Sequence, residues 1–209
     1  MSGTLDIKSA REVSSLAQDM VGQYFIHFAA MYVARNPKAE ALAPPIKPGE
    51  HSSILRIPRR DGTEMSMLFL HYLKANVDQK VKSDFDKLWF RGALLTVNDA
   101  LGDNGYFGHV PEAEMVRHLR NGIGHRNRFT FGPGVLNKLT GKLKHPANTH
   151  EMWKVFRHPR HEIESHLEGT EVLWTWGGPD GVLDCLTALA LRLNTMATDV
   201  EKRPNPSSP

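Results

Sequence analysis

His118, Asn121 and His125 recur at i, i+3 and i+7 in the stretch 114–128, and at about 100° per residue they fall on one side of a helix. Val116, Leu119 and Ile123 fall on the other side, and Arg117, Arg120 and Arg128 flank the polar stripe. A surface helix ordinarily carries interchangeable Lys and Glu on its wet face. This one carries two imidazoles, an amide and several guanidiniums. An imidazole exchanges protons near neutral pH, and a guanidinium stays charged and meets phosphate oxygens with a fork of donors. Asn121, four residues before His125, is placed to hold that ring or a phosphate oxygen. Gly122 and Gly124 each cost roughly 1 kcal/mol against Ala inside a helix, so their presence predicts a close backbone approach. These residues are the chain's best candidate for chemistry.

Arg120-Asn121-Gly122-Ile123-Gly124-His125 resembles the R-x4-6-H signature of the HEPN superfamily, in the form where a polar residue follows the arginine. Leu119 before the arginine, the small residues between Arg and His, and the helical context are similar to that family as well. The resemblance is sharp over about residues 111–128 and extends loosely over 9–198. It implies a mainly α fold: a HEPN-like helical bundle over 1–202, with a small β element and a loop-rich insert at 131–170. It also implies a homodimer in which two such helices share one cleft. Many members are metal-independent endoribonucleases of toxin–antitoxin, phage-abortive and other defence systems, and others are non-catalytic.

The activity this resemblance implies suits the residues. RNA carries its own nucleophile, the 2′-hydroxyl beside the scissile phosphate, so cleavage needs proton transfer and stabilisation of the phosphorane. Arg120 would stabilise the phosphate, His125 would act as acid or base, and Asn121 would position them, leaving a 2′,3′-cyclic phosphate without a metal or other cofactor. In a continuous helix Arg120 and His125 stand about 7.5 Å apart along the axis, a distance a flexible arginine bridges. Acid and base together call for two protonatable groups, which a dimer supplies as two copies of His125. His118 is a second candidate within one chain. Arg117, Arg126 and Arg128 are candidates for RNA contact, and solvated charge is an equal reading of Arg126 and Arg128. A non-catalytic HEPN-type module that dimerises and binds RNA or a protein partner, such as an antitoxin, is the alternative. Its physical counterpart is a hydrogen-bonded polar seam of Arg120, Asn121 and His125 that fixes helix packing.

Composition leaves room for these readings. The 209 residues are 40% hydrophobic and 23% charged, enough for a sizeable core. The net charge of +3 permits an anionic partner without requiring one. Its distribution says more: from Arg117 to Lys144 there are seven Lys or Arg and no Asp or Glu, which favours phosphate contact. Cys185 is the single cysteine, in an apolar run, and reads as a buried structural thiol. Neither a signal-peptide pattern nor a membrane-length apolar run is present, so no membrane partner and a cytoplasmic location are expected.

Other motifs fail on spacing. His161 and His166 in His161-Glu162-Ile163-Glu164-Ser165-His166 are five apart and diverge by about 140° on a helix, unlike zinc-protease histidines four apart. The histidines of 145–166 leave a metal-dependent enzyme as a weaker third reading, which EDTA inhibition would reveal. Gly122-Ile123-Gly124 lacks a third glycine and a preceding strand, which disfavours a dinucleotide site.

Six further elements must position the motif. Apolar spacing predicts a helix over 9–35, with Ser9 as N-cap and Glu12 completing a capping box. Four prolines make 37–52 irregular, and 53–57 reads as a short strand before the Arg60-Asp61-Gly62 turn. Spacing from Met65 to Val77 favours a helix over a hairpin strand at 64–70. A helix over 84–101 and the motif helix, from Pro111 to near Arg128, follow. Trp174 and Trp176 suggest a strand over 171–176 pairing with 53–57, and a last helix over 181–198 starts with Asp180 as a possible cap. The tail 203–209 reads as disordered.

Overall fold

Val182, Leu186, Leu189 and Leu193 repeat at three- and four-residue intervals and form the buried face of the last helix, Gly178–Glu201. Four other helices precede it in the computed structural model, which describes residues 6–132, 134–149 and 161–202. In chain order these are α1 (Ile7–Ala34), α2 (Phe69–Ala75), α3 (Gln79–Asp103) and α4 (Pro111–Gly124), so the last helix is α5. Two strands, β1 (Ile54–Pro58) and β2 (Glu64–Leu68), make one antiparallel pair. The fold is mainly α with a small β element. No helix among the described residues is long and apolar enough to cross a membrane. The predicted tail at 203–209 lies outside the described residues.

The chain divides into two compact units, one of Met1–Gln23 with Lys87–Pro209 and one of Tyr24–Asp86. In the first, α4 packs on α5 and on a π-helical turn at Val172–Trp176. Met115, Val116 and Leu119 of α4 are fully buried, as are Leu186, Leu189 and Leu193 of α5 and Leu94, Val97 and Leu101 of α3. The opening turns of α1 add Ala10, Val13 and Ala17, and Ser14 Oγ donates to the Ala190 carbonyl at 2.8 Å. Asp6 caps α1, accepting from the Lys8 and Ser9 amides at 3.2 Å each. Ser9 does not cap it, because its hydroxyl bonds the Tyr106 phenol (3.0 Å) and the Asp6 carbonyl.

In the second unit the later turns of α1 bury Tyr24 and Met31 but leave Phe25, Ile26 and Tyr32 exposed. Tyr24 donates to Asp86 Oδ1 at 3.0 Å, and the His27 ring stacks on Phe85. The stretch 64–68 is a strand and not the start of a helix. Asp61 Oδ1 accepts from the Thr63 amide and hydroxyl, and Gly62 takes φ +83°, so the turn folds Met65 opposite Ile57 and Leu68 opposite Ile54. The helical spacing that begins at Met65 materialises only from Phe69.

Residues 171–176 likewise depart from the expected strand. These residues do not pair with β1; they wind into the π-helical turn, because the chain after α4 captures them. The Asn127 carbonyl accepts from Val172 N–H and the Asn127 side-chain oxygen from Leu173 N–H, both at 3.0 Å. Phe129 exchanges backbone bonds with Gly169 and Thr170. The turn's Val172 then seats against α4 at Gly122, where a Cβ would lie 2.5 Å from Val172 Cγ2.

That distance makes Gly122→Ala a test of the joint. With the stiff valine on one side and the Arg128 carbonyl on the other, the added methyl forces repacking that costs about 1–3 kcal/mol. Val172→Ala in the same chain recovers part of it, a coupling that a double-mutant cycle by urea unfolding reads directly. Additive losses would mean that the two residues do not share this contact.

Candidate functional site at the end of the motif helix

The motif helix is buried on nearly every side rather than on one. Glu112, Ala113, Glu114, Met115, Val116, His118 and Leu119 are all buried, and only the final turn opens to solvent. Two acids in the first turn suit the positive end of the helix dipole. Glu114 accepts from the Gly108 amide at 2.6 Å and pairs with Arg117, whose guanidinium also lies 5.5 Å from the centre of the Phe107 ring.

The predicted polar stripe therefore runs from inside to outside. His118 is buried, with its ring edge-on to Phe131 at 5.6 Å. The chain returning after the helix covers this side, which periodicity alone does not foresee. Burial, and secondarily the Arg117 charge, lowers the His118 pKa to about 4. Asn121 and Arg120 are half-buried, and Arg120 Nη1 donates to Asn121 Oδ1 at 3.1 Å. Arg120 Nε is buried with no partner among the described residues. His125 stands exposed beyond the helix, its amide donating to the carbonyls of Asn121 (2.9 Å) and Gly122 (3.1 Å). The fold thus joins Arg120 to Asn121 and holds the His125 backbone to Asn121, while the imidazole has no hydrogen bond to either.

The helix stops at Gly124, four residues earlier than its spacing predicts. Arg126 and Asn127 both take left-handed backbone angles, with φ near +60°. Asn is suited to that region, and Arg is held there at a cost on the order of 1–2 kcal/mol. Arg128 N–H closes back on the Gly122 carbonyl at 2.9 Å. Gly122 thus provides the close approach its cost implied, toward Val172, while Gly124 has open space around it. Arg126 is exposed, whereas Arg128 donates to the Gly169 carbonyl at 2.7 Å and lies 3.9 Å from Glu171.

Asn127 is the residue that sequence reasoning passed over. Its sole signal was an Asn three residues beyond two glycines at a helix end. In the insert, His161 Nε2 lies 3.2 Å from Asp184 Oδ2 and the ring rests on Trp176, which docks this part of the insert on α5. Among the described residues no three His, Cys, Asp or Glu are placed to hold a metal; His150 and His158 lie outside them. Cys185 is fully buried, with burial and the nearby Glu112 and Asp184 charges pushing its thiol pKa up. Compared with known proteins, the chain matches no family model, no curated protein and no solved structure.

The His118 environment has a pH signature. Unfolded, the ring titrates near 6.5; folded, it does so near 4. Between those values the unfolded chain binds the extra proton, so the contribution is complete above pH 6.5 and lost as pH falls through about 4. Urea unfolding should show the parent losing ~2 kcal/mol or more between pH 7 and pH 4.5 beyond any loss in His118→Phe. Parallel pH profiles for the two proteins would place His118 in water.

Proposed function

We propose that this chain is a metal-independent endoribonuclease of HEPN type, acting in the cytoplasm as a toxin or in defence. The observation that carries the reading is the last turn of α4. There a guanidinium oriented by its neighbouring amide, Arg120 on Asn121, precedes an exposed imidazole on a backbone pinned to the same turn. What supports the reading is that the motif's histidine is open to solvent.

In the reaction, a neutral imidazole takes the proton of the 2′-hydroxyl as that oxygen attacks the adjoining phosphorus. The bond to the 5′-oxygen breaks, and an imidazolium returns a proton to that leaving group. Arg120 meets the non-bridging oxygens while they carry the most charge, and Asn121 Oδ1 restricts where the guanidinium points. One chain presents one exposed motif histidine. A homodimer supplies His125 twice, one copy as base and one as acid, while His118, neutral beneath Phe131, takes no part. The product ends in a 2′,3′-cyclic phosphate.

A second reading keeps the HEPN-type dimer without turnover, binding RNA or a protein partner such as an antitoxin. It is favoured by the cations already spent within the chain: Arg117 on Glu114, and Arg128 on Gly169 and Glu171.

Mixed cellular RNA incubated in EDTA with the purified protein separates the two. The parent should cleave it and leave 2′,3′-cyclic ends. His125→Ala should lose on the order of 10²-fold or more in rate while keeping its oligomeric state by light scattering. Arg120→Lys should also slow cleavage, because an ammonium lacks the fork. Silence from every protein, with RNA still bound, supports the second reading, and equal cleavage by parent and His125→Ala contradicts the first.

A further inference from the structure

Immediately beyond His125 the surface opens into a cleft of about 380 Å³. Its lining includes Lys87 and Arg91 of α3, one helical turn apart, together with Arg126 and Trp174. Ile123 contributes apolar surface, and Glu171, held near Arg128, is the one carboxylate in the lining. Trp174 is 45% exposed, an unusual state for so large an apolar ring outside a binding surface. Its neighbours in the π-helical turn, Val172 and Leu173, are buried, so the ring sits on a rigid base. Neither Arg91 nor Arg126 has an ion-pair partner among the described residues.

Two guanidiniums without ion-pair partners among the described residues, in one cleft with an exposed indole, are the components of single-strand recognition. Guanidiniums take phosphate oxygens, and a base of any identity stacks on the ring. An acidic peptide would use the cations and leave the indole unexplained; a neutral apolar ligand would do the reverse. Holding Arg126 in a left-handed conformation adds a second argument. The chain bears a cost there, and the result is a guanidinium one residue beyond His125 at the cleft's edge.

We propose that this cleft binds single-stranded RNA, with a base stacked on Trp174 and adjoining phosphates on Arg91 and Arg126. The choice of RNA, and the view that the cleft feeds the His125 centre, rest on the ribonuclease reading. The binding itself does not.

The test is fluorescence anisotropy with a labelled twelve-nucleotide 2′-O-methyl oligouridine, whose blocked 2′-oxygen prevents cleavage, in EDTA at several salt concentrations. Trp174→Ala should weaken binding by about tenfold, and Trp174→Phe should recover most of it. Arg91→Ala and Arg126→Asn, the latter chosen because Asn suits the left-handed backbone, should each lower the salt slope by about 0.7. All of these positions are exposed, and unchanged thermal melts would confirm folding. A DNA oligomer bound equally well would support the cleft as a general single-strand site. The proposal is overturned if the parent does not bind, or if the variants bind as the parent does. Unchanged affinity in Trp174→Ala with parental RNA cleavage would remove the cleft and leave the ribonuclease. Binding through Trp174 with no cleavage by the parent would remove the ribonuclease and leave the cleft.

Discussion

The end of α4 and the surface beside it depend on one contact, the seating of Val172 against the bare backbone of Gly122. There is no room for a Cβ between them. Because the glycine admits the valine, the π-helical turn lies against α4, and the two amides at its start reach Asn127. Because Asn127 is committed to those amides, the chain leaves α4 through two left-handed residues and not by a longer helix. His125 therefore ends up outside the helix and Arg126 at the mouth of the cleft. A helix continued by one more turn would have carried both elsewhere.

Electrostatics divides the same helix into two halves. Its first turns hold Glu112 and Glu114 inside, near the positive end of the helix dipole, and Glu114 has the Gly108 amide and Arg117 that make its burial tolerable. Its last turn holds Arg120 and Asn121 half-buried and bonded to each other. Between them His118 is kept neutral by its apolar setting. The helix thus runs from a buried acidic first turn to an end at which the chain, from Gly124 to Arg126, is exposed. The two histidines of the stripe consequently have opposite environments despite their equivalent positions on a helical wheel.

How much of this was legible in the sequence follows from which forces are local. The helices came through, because three- and four-residue apolar spacing is a local consequence of winding, and α1, α3 and α5 lie close to where it places them. Residue type alone singled out Arg120, Asn121 and His125 as candidates; the structure adds that Arg120 bonds Asn121 and that His125 is exposed beyond the helix. Three features were not legible in the sequence. The strand at 64–68 arises from the Asp61–Thr63 turn, whose pull overrides the helical spacing of Met65, Leu68 and Phe69. The π-helical turn arises from amides captured by Asn127, 46 residues from Leu173. The burial of His118 arises from Phe131 returning over a face that a helical wheel assigns to water. The first miss is a local turn overriding an apolar rhythm; the other two are tertiary contacts overriding a local pattern, and both lie within a few residues of the proposed site.

If the end of α4 offers His125 to RNA phosphate while withholding His118, the two rings must respond differently to a bound strand. Nitrogen-15 correlation spectra of the labelled histidine rings, recorded with and without an uncleavable 2′-O-methyl oligonucleotide, address this difference directly. The His125 ring signals should shift on binding, and those of His118 should stay in the neutral form, unmoved, at pH 6. RNA binding that leaves His125 undisturbed, or that moves His118 instead, would contradict this expectation.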